Sequence, residues 1–259
     1  MNDILINIDD RGVATITLNR PERHNAFDDG LLQRLHETVG GCRQDEAVKV
    51  LVLAAEGKSF CAGADLGWMR RMASYSREEN YQDALAMAEF FADLATLPKP
   101  TIAVVQGGAF GGGVGLAAAC DIVIAAESAR FALSEVKLGL IPAVISPYLI
   151  RAIGERHTRR YSLTGEAFGA EEARAMGLVQ AVVARDQLAA AVESFLSHLL
   201  ANGPAAMAAV KADLFKENGQ YLREQGRYTA GLIAEIRGSA EGREGIAAFL
   251  EKRQPSWLK

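Results

Sequence analysis

Residues 107–121 read GGAFGGGVGLAAACD, with glycine at 107, 108, 111, 112, 113 and 115. The stretch follows TIAVVQ at 101–106 and overlaps DIVIAA at 121–126. Both flanks are continuous apolar runs rich in β-branched residues, the pattern of strands buried on two faces. A glycine-rich turn and a short helix between two such strands form one unit of an α/β fold. Residues 101–120 carry no charge over a length that would span a membrane. Their glycines and Gln106 favour a buried strand, turn and helix instead.

The same order recurs upstream. VKVLVLAA at 48–55 reads as another doubly buried strand, and GKSFCAGADLGWM at 57–69 as a small-residue loop entering a helix. Residues 77–97 are Ala-rich and helical, and Lys99-Pro100 stops them. ILINIDD and VATITLN alternate around Arg11-Gly12 and predict a hairpin. NRPERHNAF at 19–27 is a polar loop, after which Leu31, Leu32 and Leu35 begin a helix. Beyond about residue 185 the pattern changes to helix after helix, from Asp186 to Arg253, punctuated by Asn202-Gly203-Pro204 and Asn218-Gly219. Leu214, Leu222, Tyr228, Leu232, Ile233 and Ile236 are more apolar positions than a lone surface helix needs. They serve either the chain's own core or another subunit. The expected organisation is a core over residues 1–190 and a helical region over residues 191–259.

Composition removes several function classes. A 259-residue chain can bury a large core, and 49% apolar with 23% charged residues is ordinary for a globular protein. A net charge of −4 gives no basic surface for nucleic acid. Cys42, Cys61 and Cys120 are odd in number and far apart, with no CxxC. That spacing predicts neither a metal site nor a disulfide framework, and suits a reducing cytoplasm. MNDILINIDD is too acidic for a signal or transit peptide. His24, His36, His157 and His198 show no metal-ligand clustering, and Ser134 lies in no GxSxG elbow.

The glycines invite a nucleotide reading, since GVGLAA at 113–118 matches GxGxxA. A dinucleotide site needs the strand to run straight into the first glycine and an acid at the end of the next strand. Here GGAFGG intervenes, Glu127 comes too early, and no GK[ST] follows. A helix N-terminus has another use. Its first backbone N–H groups are unpaired. They can hold an oxygen that gains charge during a reaction, and glycine lets that oxygen come close. SFCAGADL is a second such edge, so two N–H groups could surround one carbonyl oxygen. Close helix–strand packing would use the same small residues.

FCAGADL, GGAFGGGVGLAAACD, ARFALSEVKLGLIP and TGEAFGAEEARAMGLV, in this order, resemble the enoyl-CoA hydratase/isomerase, or crotonase, family. The resemblance runs from NRPERHNAF to AAFLEKR at 247–253. Residues 134–161, SEVKLGLIPAVISPYLIRAIGERHTRRY, further resemble bacterial methylglutaconyl-CoA hydratases and their carboxygeranoyl-CoA relatives. It implies an α/β spiral of ββα units, with a C-terminal helical region that builds trimers or paired trimers. An acyl-CoA is the implied substrate, with no separate cofactor, metal, nucleic acid or membrane. The implied oxyanion donors are the backbone N–H groups of Ala64 and Gly112, and the implied acid/base is Glu135. Its neighbours Leu133, Val136 and Leu138 fit an apolar setting that would raise its pKa. The implied coenzyme A contacts are Arg23, Ala62, Ala64, Asp65, Leu66, Phe249 and Lys252, the last two from a neighbouring subunit in relatives. For Arg23 and Lys252 a solvated surface charge is the plain alternative.

Two departures stand out. Hydratases of this family commonly use two glutamates, and the earlier position here is Gly115. Either Glu135 acts alone, or another carboxylate enters, or the reaction is an isomerisation needing one acid/base group. A catalytically silent acyl-CoA- or RNA-binding member is a further alternative. IPAVISPY also replaces a glycine-rich segment, so Ala143, Val144 and Ile145 should reshape the acyl pocket. A distal carboxylate on the substrate would call for a cation, with Arg70, Arg71 and Lys137 as candidates.

Overall fold

A computed structural model describes residues 2–214 and 218–258. Strands β1 (Ile4–Ile8) and β2 (Val13–Leu18) pair antiparallel as the expected hairpin. Helix α1 (Asp29–Gln44) is capped by the Asp28 side chain, which accepts from the Leu31 N–H. Three turns of a spiral follow. The first is β3 (Val50–Ala55), β4 (Ser59–Cys61), α2 (Leu66–Met72) and α3 (Arg77–Ala95). The second is β5 (Thr101–Val105), β6 (Gly108–Phe110) and α4 (Gly112–Ala119). The third is β7 (Ile122–Ala126), β8 (Arg130–Ala132) and α5 (Ser146–Thr164). The chain continues through β9 (Ala167–Gly169), α6 (Ala170–Met176), β10 (Ala181–Val183) and α7 (Leu188–Leu200). It closes with α8 (Pro204–Leu214), α9 (Asn218–Gly238) and α10 (Ala240–Leu250).

Each turn gives one strand to each of two sheets. The larger sheet has the order β1-β2-β3-β5-β7-β10 and the smaller β4-β6-β8-β9. This is the spiral of ββα units that the resemblance implied. The smaller sheet was not legible in advance, because a three-residue strand is too short to show periodicity.

Continuous apolar runs suit the larger sheet because both of its faces are covered. Leu51, Leu53, Ala103 and Val105 join the main core, while Val50, Val52, Ile102 and Ile124 face a second core closed by Leu188 and Leu196 of α7. Each of these Val, Leu and Ile side chains contributes roughly 1.5–3 kcal/mol on burial. Helix α7 thus straddles the expected boundary at residue 190 and covers the sheet.

Helix α9 lies along α3, burying Leu222, Ala230, Ile233 and Ala234, while Tyr228 and Leu214 stay exposed. The apolar set noted in the sequence therefore divides between the chain's own core and an open face. Asn202-Gly203-Pro204 separates α7 from α8 as expected. Asn218-Gly219 instead opens α9, and residues 215–217 lie outside the described residues. Among the described residues, no helix is long and apolar enough to cross a membrane.

Candidate active site

Strands β4 and β6 pair in parallel, so the loops leaving them run side by side. At Gly63, φ is 84°, and a Cβ would lie 2.9 Å from the Phe110 carbonyl oxygen. Only glycine allows this contact without strain. Phe27 ties the two loops together. Its N–H donates to the Gly63 carbonyl at 2.8 Å, and its carbonyl accepts from the Asp65 N–H at 2.9 Å. Its ring lies on Gly112, where a Cβ would meet Cζ at 2.3 Å. Gly112 heads α4, so its N–H has no acceptor within the helix. Among the described residues, neither it nor the Ala64 N–H has a backbone partner. Both residues line one cavity of about 920 Å³.

Glu135 enters this cavity from the 3-10 turn Glu135–Leu138, which follows β8 and ends at Gly139 with φ 62°. The Leu140 N–H closes the turn on the Glu135 carbonyl at 3.0 Å. The carboxyl stands over Gly111, where a Cβ would be 2.8 Å from Oε1. Oε2 is enclosed and has no hydrogen-bond partner among the described residues. Burial pushes the carboxyl pKa up from 4.5 to about 7, against a small opposing pull from its own backbone N–H. Such a group exchanges protons readily in either direction near neutral pH.

Apolar atoms fill the position of the absent first glutamate. A Cβ on Gly115 would lie 2.2 Å from Ile145 Cγ2 and 3.2 Å from Phe91 Cε1. The two departures seen in the sequence, Gly115 and IPAVISPY, are thus one change: Ile145 occupies the space. Among the described residues, the other carboxylates lining the cavity are Glu22, which is exposed, and Asp65. The Asp65 carboxylate caps α2 through the Gly67 and Trp68 N–H groups and pairs with Arg20 and Arg23.

The fold brings together Arg23, Ala62, Ala64, Asp65, Leu66, Arg70, Gly112, Glu135, Lys137 and Phe249 around this cavity. Two of the expected residues lie outside this chain's own lining. Arg71 lies outside the lining and pairs with Asp29, since the turn of α2 that presents Arg70 inward directs its neighbour away. Lys252, just past α10 with φ 54°, also lies outside, and Arg253 lines the cavity in its place. Phe249 reaches the cavity from this same chain rather than only from a neighbour.

The sequence reading missed Arg237. It lies on α9, is 7% exposed, and lines the cavity. Its Nη1 donates to Asp83 Oδ2 at 2.8 Å, and Trp68 Nε1 donates to Asp83 Oδ1 at 2.9 Å. The available signal was its spacing from Ile233, four residues earlier, which puts both on one helix face.

The enoyl-CoA hydratase/isomerase family model matches residues 9–259. The crystal structure of an enoyl-CoA hydratase from Shewanella pealeana is 44% identical, with a TM-score of 0.81 over 99% of this chain and 96% of that one. Escherichia coli 1,2-epoxyphenylacetyl-CoA isomerase is 33% identical over 262 residues, 99% of each chain. Escherichia coli 2,3-dehydroadipyl-CoA hydratase is 32% identical over 258 residues, again 99% of each chain.

Proposed function

The chain belongs to the enoyl-CoA hydratase/isomerase family and is an enzyme, and from that premise we propose that it hydrates an enoyl-CoA with one carboxyl group, Glu135. The observation that carries this reading is the pairing of one enclosed carboxyl near pKa 7 with apolar atoms where a second acid would stand. In the proposed reaction the thioester oxygen accepts from the Ala64 and Gly112 N–H groups. The Glu135 carboxylate takes a proton from water as the water oxygen bonds to C3. The C2=C3 electron pair shifts toward the thioester, and the two donors hold the resulting enolate oxygen. The enolate then collapses, C2 takes the proton from Glu135, and the carboxylate is restored. One water is added and nothing else is consumed. Each oxyanion donor supplies about 3 kcal/mol to such a transition state.

The mouth suits coenzyme A. Arg23, Arg70, Lys137 and Arg253 give it positive charge, and Leu66 and Phe249 give it apolar surface. The bulk of Ala143, Val144 and Ile145 supports a branched or carboxylated acyl group such as 3-methylglutaconyl. So do the resemblance of residues 134–161 and a relative named for dehydroadipyl-CoA. The open apolar positions Val210, Tyr221 and Tyr228 support a homotrimer or a pair of trimers. The free thiols of Cys42, Cys61 and Cys120 support a cytoplasmic setting.

A second reading has its own support. An isomerase needs one proton carrier, Gly115 leaves one, and a relative is named an isomerase. Incubating the protein with 3-methylglutaconyl-CoA and with crotonyl-CoA, then weighing the products, separates the two. Hydration adds the mass of one water, and Glu135→Gln abolishes it. Rearranged product of unchanged mass would replace the hydratase reading with the isomerase one.

A further inference from the structure

Among the described residues, Arg237 is the most buried arginine or lysine that lines the cavity. The mouth residues Leu66 and Phe249 are 49% and 47% exposed, whereas Arg237 is 7% exposed. Contacts trace its place relative to the reacting carbonyl. The Phe27 ring covers Gly112, Trp68 lies 6.0 Å from that ring, and the guanidinium lies 6.0 Å from the Trp68 ring. The cavity lining also includes the apolar side chains of Met72, Met87 and Ile233, the last of them one turn before Arg237 on α9.

A guanidinium in such a place is costly. A buried ion pair seldom repays the desolvation of both partners, and apolar residues of similar volume would hold α9 on α3 as well or better. The hydrogen bonding is also unbalanced. Both Asp83 oxygens are used, one by Trp68 and one by Arg237. Arg237 carries five N–H donors, and among the described residues Asp83 is the acceptor within hydrogen-bond distance. The cavity lining therefore carries a buried guanidinium with donors in surplus, alongside apolar side chains.

We infer that Arg237 is a specificity residue, selecting acyl groups that carry a carboxylate at the end remote from the thioester. The inference rests on the reading that this cavity takes an acyl-CoA. It replaces the cations offered by the sequence: Arg71 points elsewhere, and Arg70 and Lys137 are exposed. A bond between an arginine and a carboxylate inside such walls is charge-assisted and can be bidentate.

The test uses saturated ligands, which cannot be hydrated, so binding is read apart from catalysis. Glutaryl-CoA and adipyl-CoA end in a carboxylate where valeryl-CoA and hexanoyl-CoA end in a methyl group. Titration calorimetry of the wild-type protein should show at least one diacid ligand bound about tenfold or more tighter than its methyl-ended counterpart, the scale of one hydrogen bond to a charged group. The double variant Asp83→Asn/Arg237→Met avoids stranding a buried charge and should bring each pair within about threefold of equality. Asp83→Asn alone keeps the guanidinium and should keep the preference. Equal or tighter binding of both methyl-ended ligands by the wild type overturns the inference while leaving the acyl-CoA reading intact. A preference that survives in the folded double variant also overturns it. Binding of none of the four would overturn the acyl-CoA reading itself, and this inference with it.

Discussion

At the scale of the residue, the Glu135 carboxyl is buried at a cost to the fold. Its pKa is about 7 in the folded chain against 4.5 when free. Between those values the folded state holds a proton that the unfolded chain releases, so stability falls as pH rises through this window and stays reduced above pH 7. The full difference is about 3 kcal/mol. Glu135→Gln, which has no charge to bury, should melt several degrees above wild type at pH 8. The gap should close near pH 4.5. Equal melting temperatures at pH 8 would show that the carboxylate is not desolvated. This residue stood out through the family resemblance; its apolar neighbours argued only for partial burial, and of these Leu133 is fully buried. Arg237 was not, because its meaning depends on Asp83, a residue 154 positions away.

At the scale of the element, α4 and the segment before α5 fit as a matched pair. The glycines that opened the sequence analysis are mostly sites of close approach: Gly112 to Phe27, Gly113 to the Cys61 carbonyl, Gly115 to Ile145. Restoring the absent acid by Gly115→Glu alone should overpack this contact, at about 1–3 kcal/mol or more, read as a drop in melting temperature. Adding Ile145→Gly should recover much of the loss, because it removes the atoms that the new Cβ would strike. Independent, additive losses would contradict the pairing of these two positions. The sequence shows that both positions depart from the family pattern. It does not show that they touch, since thirty residues and two strands separate them.

At the scale of the whole molecule, the spiral accounts for the site. Each turn delivers one loop to the same C-terminal end of the parallel strands β4, β6 and β8, so Ala64, Gly112 and Glu135 come from three successive turns. In the larger sheet β3, β5 and β7 were legible from their apolar runs and β1 and β2 from alternation, while the three-residue β10 was not; the helical C-terminal region was legible from its change of pattern. The role of that region was not. Helix α9 covers α3 and brings Arg237 inside, and α10 packs on the turn that holds Glu135, where a Cβ on Gly245 would lie 2.1 Å from the Leu138 carbonyl oxygen. Val210 on α8 and Tyr221 and Tyr228 on α9 are exposed, and light scattering should give about three or six times the 27.8 kDa chain mass. The chain mass itself would contradict a trimer.

The central claim is that the Glu135 carboxylate alone carries the proton. The most direct measurement is kcat/KM for the hydrated substrate between pH 5.5 and 9, for wild type and Glu135→Gln. Wild type should show a single ionisation near pH 7, with activity rising toward alkaline pH because the carboxylate must first accept a proton from water. The variant should lose about 10²–10⁴-fold, with the ionisation gone. A flat wild-type profile, or a variant within tenfold of wild type, would contradict the central claim.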